Sequence, residues 1–288
     1  MNSLAEQSMA CQSKAISLGA LVPLQTEILK SASWDPFILR KLQGYTPKHL
    51  KDIGPKQNPF SPWDKNLELY KLDHHILLLN KYPVEPGHLL LITKDWKPQN
   101  GWLSESDWQA LREVWQMQGG LWFFNSAPEA GASQPHRHLQ LLPRAKGQVI
   151  CPEAEKFEAN AVAKMSSWPW QVGLKATPKN ELPSLDFLIK TYAELAEAYG
   201  IGNANKDKIP LLPYNLLISN KWFVLIPRTK EGHQGFSLNA LGYAGFLLAT
   251  AESNLDWLHK YGPSELLAEA AISAQQFDRA PSEPQGCQ

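Results

Sequence analysis

The densest chemistry in the chain lies in Gly131-Ala132-Ser133-Gln134-Pro135-His136-Arg137-His138-Leu139-Gln140. If residues 136–143 form a strand, side chains alternate between its two faces. His136, His138 and Gln140 then share one face, and Arg137, Leu139 and Leu141 the other. Two imidazoles and an amide in a row are costly to bury unless hydrogen-bonded, so the pattern suits a site better than a core. A neutral imidazole, with an ordinary pKa of about 6.5, is a competent nucleophile near neutrality. Its attack on a nucleotide α-phosphorus would form a phosphoramidate and expel the rest of the polyphosphate. The attacking nitrogen needs its lone pair, so the other ring nitrogen must keep its proton and donate it, typically to a carbonyl oxygen. Ser133 and the backbone N–H groups of 131–134 could hold phosphate oxygens. Gln140 could bond an oxygen without acting as an acid. Spacing alone leaves two other readings open. His-x-His on a strand is a common pair of zinc ligands, with His88 as a candidate third. The two histidines could also be hydrogen-bonded structural groups.

The elements that must position this string are legible in outline. Two apolar runs, Ile76–Leu79 and Leu89–Thr93, flank Pro83, Pro86 and Gly87, which reads as strand–loop–strand. Residues 105–119 read as a helix, started by a capping box of Ser104 with Asp107 and stopped at Gly119-Gly120. Residues 121–125 read as a short strand. Residues 185–199 read as a helix capped by Ser184 and ended by Gly200. Residues 214–228 read as a hairpin turning at Ser219-Asn220-Lys221. Helix-like apolar spacing also marks 20–42, 237–259 and 264–276, while 43–66 reads as a long irregular segment and the last ten residues as a frayed tail. Interspersed helices with hairpin-joined strands predict an α+β fold, an antiparallel sheet with flanking helices. Neither GxGxxG nor GxxxxGK[ST] occurs.

Bulk properties narrow the function further. The 288 residues suffice for one large domain or two modest ones, and a formal net charge of zero argues against bulk nucleic-acid binding. Three scattered cysteines without a CxxC predict free thiols in a reducing compartment. No apolar run reaches the length of a membrane span and the N-terminus lacks a secretory pattern, so a cytoplasmic protein with no membrane partner is expected. The 11 tryptophans read chiefly as packing residues.

The string GASQPHRHLQLLP resembles the HxHxQ signature of the transferase branch of the histidine-triad superfamily. It is similar in particular to the ATP adenylyltransferases, also called diadenosine tetraphosphate phosphorylases. LLLNKYPVEPGHLLLITK resembles the family's first hairpin, FFNSAPEAGASQPH its asparagine and phosphate loop, and PYNLLISNKWFVLIPR with SLNALGYAGFLLA its C-terminal region. The resemblance spans roughly residues 72–250. It implies a histidine-triad-like antiparallel sheet, with a catalytic region over 1–183 and a C-terminal region over 184–288 that completes the substrate site.

The resemblance implies His138 as the nucleophile that takes AMP, His136 to orient it or bond phosphate, and Gln140 on the polyphosphate. Gly131, Ala132, Ser133 and Gln134 would wrap the phosphates, and Asn125 would contact phosphate or ribose. Asn80 and Lys81 sit where the superfamily holds ribose and base, and His88 beside the nucleophile. Ser219, Asn220, Lys221 and Arg228 would grip the distal phosphates or second nucleoside. A basic residue from the N-terminal region is also implied, with Lys41, Lys48, Lys51 and Lys56 as undivided candidates beside the reading of all four as solvated charges. The implied substrates are diadenosine tetraphosphate, phosphate, ATP and ADP, in reversible phosphorolysis by a monomer. No cofactor is expected on the protein, with magnesium or another divalent cation accompanying the nucleotide.

Blander readings stand beside these. His74 and His75 read as surface or edge residues, and His49, His233 and His259 as surface residues. Lys221 is ordinarily a solvated turn charge, Arg228 a structural ion-pair partner, Trp222 packing, and Arg137 structural. A uridylyltransferase, a histidine-triad hydrolase, a zinc hydrolase and a non-catalytic nucleotide sensor are the rival functions.

Overall fold

Apolar residues on both faces of successive strands call for cover on both sides of a sheet. In the computed structural model, which describes residues 4–44, 60–145, 147–163, 166–178 and 182–274, that cover is provided. Helix α1 (Leu4–Ser17) and strands β1 (Thr26–Leu29) and β2 (Ile38–Leu42) come first. Then follow β3 (Glu68–Lys71), β4 (His75–Leu79), β5 (Leu89–Thr93), α2 (Glu105–Met117), β6 (Gly120–Asn125) and β7 (His138–Pro143). Next are α3 (Ala154–Ala163), β8 (Gly173–Ala176), α4 (Leu185–Ala198), β9 (Tyr214–Ile218) and β10 (Trp222–Pro227). The chain continues through β11 (Gly232–His233), β12 (Phe236–Ser237), α5 (Ala240–Tyr243), β13 (Phe246–Ala249) and α6 (Leu255–Ala268).

Eight strands pair antiparallel in the order β3-β4-β5-β7-β6-β9-β10-β8. The sheet thus takes strands from both sides of residue 183. One face packs Leu77, Leu91, Leu139, Trp122 and Leu216 beneath α1, α2 and α4, which contribute Ala15, Trp108, Val114, Leu188 and Leu195. The other face is divided. Its β6-β9-β10 half packs Phe123, Leu217 and Val224 against α3, α5 and α6, and against the small sheet β1-β2-β13. Its β4-β5 half carries Ile76, Leu78, Leu90 and Ile92, with Phe60 and Trp63 packed on them. The polar side chains of β7 lie between the halves.

Three expected helices are corrected. Residues 20–42 form β1 and β2, because β2 finds a parallel partner in β13 and Pro36 cannot sit inside a helix. Residues 237–259 break into the one-turn α5, strand β13 and the start of α6, with Gly245 turning at φ 100° after α5. The last helix begins at Leu255, kinks at Gly262-Pro263 and ends at Ala268, earlier than 264–276 at both ends. Helix α1 was not anticipated. Of the expected irregular segment 43–66, residues 45–59 lie outside the described residues, as does the tail from 275.

Candidate active site

Register brings the strip together. Ile92 pairs with His138 and Leu90 with Gln140 across β5-β7, while Phe123 faces Gln140 across β6-β7. His138 and Gln140 therefore share a face with the Ile76/Leu78/Leu90/Ile92 platform. The rings of Phe60 and His138 stand edge to face at 5.7 Å, and those of Phe60 and His136 at 5.4 Å.

His138 is held as a neutral imidazole. Its Nδ1–H donates to the His136 carbonyl oxygen at 2.8 Å, which leaves the lone pair on Nε2. Burial lowers its pKa to about 4, so the imidazole is uncharged at neutral pH. His136 is fastened elsewhere: its Nε2–H points at the Thr93 carbonyl oxygen at 2.8 Å and at Thr93 Oγ1 at 2.9 Å. Its ring is therefore tethered through Nε2, and its carbonyl orients the neighbour. The orienting role fits this arrangement, and a phosphate contact through Nε2 does not.

Gln140 ends a directional chain of hydrogen bonds. Asn80 Oδ1 accepts from the Tyr82 N–H at 3.0 Å, which turns Asn80 Nδ2 toward His88 Nδ1, also at 3.0 Å. His88 must then carry its proton on Nε2, which donates to Gln140 Oε1 at 2.9 Å. Burial lowers the His88 pKa to about 4, so its ring stays neutral and has one donor and one acceptor. With Gln140 Oε1 engaged, the Gln140 Nε2–H pair is the end offered to a ligand oxygen. Asn80 thus reaches the site through His88, with one bond at each end of its amide. Lys81 is exposed, its Nζ 5.7 Å from the Tyr82 ring centroid.

The loop over 126–135, expected to wrap phosphate, hangs from fixed ends. Asn125 Oδ1 accepts from Asn215 Nδ2 at 2.8 Å and from the Ala240 N–H at 2.9 Å. Gly131 turns at φ 82°, and a Cβ there would lie 2.6 Å from the Leu238 carbonyl oxygen. Ala132 is half-buried and Ser133 exposed. Gln134 Oε1 is buried without a hydrogen-bond partner among the described residues.

On the opposite face Arg137 anchors the motif. Its guanidinium donates to the Pro98 and Trp102 carbonyls and to Asp107 Oδ2 at 3.0 Å. Asp107 also accepts from His75 Nε2–H at 2.9 Å and, as the expected capping box, from Ser104 N at 2.7 Å. Burial alone would raise the Asp107 pKa, but His75, Arg137 and Ser104 together hold it well below the usual carboxylate range. His75 is therefore a buried partner of α2 on an inner strand, and not the surface or edge residue expected; His74 is exposed.

The C-terminal hairpin corrects four assignments. Ser219, Asn220 and Lys221 turn the chain at the sheet end opposite Asn125, since Ile218 pairs with Trp122 and Asn215 with Asn125. Ser219 Oγ accepts from the N–H groups of Lys221 and Trp222, and Lys221 Nζ pairs with Glu158 at 2.7 Å. Arg228 does lie at the correct end, but fully buried. It donates to the Ala270, Lys230 and Glu231 carbonyls, to Asn215 Oδ1 at 2.6 Å and to the Ala130 carbonyl at 3.4 Å, supporting the 126–135 loop from behind. Lys41 is half-buried on β2; Lys48, Lys51 and Lys56 lie outside the described residues.

Sequence reasoning missed the Phe60/Trp63 cover, the apolar platform and Gln99, whose side chain bonds the His138 backbone. The platform was findable, because alternation along 76–79 and 89–93 sets its face. Gln99, in a Lys-Pro-Gln-Asn turn, carries no local signal. The zinc reading finds no support, because no group of three or more His, Cys, Asp or Glu side chains is placed to hold a metal among the described residues.

An antiparallel sheet flanked by helices, with an imidazole–imidazole–amide strip on a central strand, defines the histidine-triad class. Residues 1–154 match the Ap4A phosphorylase N-terminal domain and 166–273 the ATP adenylyltransferase C-terminal domain, so the chain belongs to the Ap4A phosphorylase family. Diadenosine 5',5'''-P1,P4-tetraphosphate phosphorylase 2 of Saccharomyces cerevisiae is 27% identical over 234 residues, covering 69% of this chain and 71% of its own. The crystal structure of yeast Ap4A phosphorylase Apa2 matches with a TM-score of 0.72 at 21% identity over 99% of both chains. The same yeast enzyme in complex with Ap4A matches with a TM-score of 0.71 at 19% identity, over 95% of this chain and 98% of its own.

Proposed function

We propose that this chain cleaves diadenosine tetraphosphate with inorganic phosphate to give ATP and ADP, through AMP held covalently on His138 Nε2. The observation that carries the reading is the His138 ring: neutral, with its Nδ1 proton on the His136 carbonyl and its Nε2 lone pair free for attack. In the first step Nε2 forms a bond to an α-phosphorus while the bond to the α,β-bridging oxygen breaks, and ATP leaves. The positive charge left on the imidazole is shared through Nδ1–H with the His136 carbonyl. In the second step a phosphate oxygen attacks the same phosphorus, the P–N bond breaks, and ADP and neutral His138 result. ATP leaves as a stable anion, so no general acid is needed.

The strip also favours phosphate over water as acceptor. Water must lose a proton as it attacks, and phosphate arrives already anionic. His88 has both ring nitrogens engaged and a pKa near 4, and Gln140 is an amide, so neither is a useful base. Phe60 and Trp63, half-buried over the platform of Ile76, Leu78, Leu90 and Ile92, offer an apolar aromatic surface for an adenine base. No protein-bound metal enters the scheme; a divalent cation would come with the polyphosphate as its counter-ion. Incubation with diadenosine tetraphosphate, with and without phosphate, tests the reading. Equal ATP and ADP that require phosphate are expected. AMP with ATP, independent of phosphate, would mean a hydrolase.

A further inference from the structure

The β6-β7 ladder runs from Gly120↔Pro143 to Phe123↔Gln140 and stops there. Continued, it would set Asn125 against His138. A side chain from outside both strands occupies that place. Gln99 Oε1 accepts from the His138 N–H at 2.8 Å, and Gln99 Nε2 donates to the Asn125 carbonyl at 2.7 Å and the His138 carbonyl at 3.2 Å. Its own backbone N–H donates to the Pro135 carbonyl at 2.8 Å, and Gln99 is only 2% exposed. A primary amide presents the same donor and acceptor as a peptide group. Gln99 therefore acts as a one-residue strand between two strands that would otherwise lie about 4.8 Å apart.

We propose that Gln99 is a positioning residue for the nucleophile: its amide parts β6 from β7 at the reacting histidine and sets the height and rotation of His138. The inference rests on the reading of His138 as nucleophile. The strands part where the phosphate loop leaves β6 at Asn125 and returns at His136. Both backbone polar groups of His138 are held by Gln99, and its ring by the His136 carbonyl, so two residues determine where Nε2 points. Gln99 bonds the strand backbone and not the His138 ring. Its loss should therefore slow formation of the P–N bond and leave nucleotide affinity nearly intact.

The test uses the full chain with Gln99→Asn, which keeps the amide on a shorter arm, and Gln99→Met, which keeps the length without the hydrogen bonds. The rate of acid-labile AMP–protein formation is followed in single turnovers with adenosine-labelled diadenosine tetraphosphate. AMP affinity and the thermal midpoint are measured in parallel. Displacement of the nucleophile by about 1 Å corresponds to roughly a 100-fold loss of rate. Both variants should lose about that much, with AMP affinity within about threefold of wild type on that same scale. If Gln99→Met does not melt cooperatively, Gln99→Asn decides. Wild-type adduct formation with unchanged rates in the variants would overturn the role of Gln99 alone, as would rate and affinity falling together. A wild-type chain that forms no adduct would remove the nucleophile reading and this inference with it.

Discussion

Lowering the pH from 7 to 5 should destabilise this protein while leaving its chemistry nearly untouched. His88 and His138 are buried and neutral, with pKa values of about 4. In the unfolded chain each returns to about 6.5. A histidine depressed on folding gives its full contribution above the unfolded pKa and loses it as pH falls toward the folded one. Between pH 7 and 5 the unfolded state gains most of a proton at each site and the native state almost none. At about 1.4 kcal/mol per pKa unit, the loss is about 2 kcal/mol for each histidine, or about 4 kcal/mol for the pair. The buried His136, also depressed, shifts stability in the same direction. Asp107 works at lower pH: its depressed carboxylate stabilises above the ordinary aspartate range and is lost as pH falls below it. Urea unfolding at pH 7, 6 and 5 should show the falling midpoint, and the adduct-forming rate at saturating nucleotide should stay nearly flat over the same range. A His138→Asn chain should lose about half of the slope. Stability independent of pH across this window, or a rate falling with a pKa near 6.5, would refute the buried, neutral nucleophile.

Three other outcomes follow from named contacts. Asn80→Asp puts a carboxylate beside His88 Nδ1, draws the proton there and makes Nε2 an acceptor, so the Gln140 amide reverses toward the ligand. Turnover should fall about 100-fold, as for a lost oxyanion donor, and partly recover toward acid as the ring takes a second proton; a pH profile shaped like wild type would contradict the chain. Arg137→Met leaves Asp107 and His75 buried without their cation and should cost about 3–5 kcal/mol in chemical unfolding. Lys221→Ala removes only the Glu158 pair and should leave KM for diadenosine tetraphosphate unchanged; a raised KM would restore the substrate role.

The motif strand was legible because alternation with period two is local: it alone predicts that His136, His138 and Gln140 share a face. The capping box at Ser104 and the stops at Gly119 and Gly200 are likewise written in neighbouring residues. What stayed hidden depends on partners far along the chain. Residues 26–42 become strands because β13, some two hundred positions later, supplies a parallel edge. His75 is buried because Asp107 on α2 comes to meet it. Ser219 to Lys221 form a correctly read turn, yet sheet order carries it to the wrong end for substrate, which no local pattern could reveal. Asn80 has the right type and neighbourhood, but its role follows from a hydrogen bond to His88.

The role of His138 is tested most directly by trapping the intermediate. The wild-type and His138→Ala chains are mixed with adenosine-labelled diadenosine tetraphosphate without phosphate, quenched in alkali, and mapped by peptide mass spectrometry. One AMP per chain is expected on His138, lost in acid, with one equivalent of ATP released and ADP formed once phosphate is added. The His138→Ala chain should carry no label while still binding AMP. Label on another residue, or phosphate-dependent ATP and ADP from the His138→Ala chain, would contradict that role.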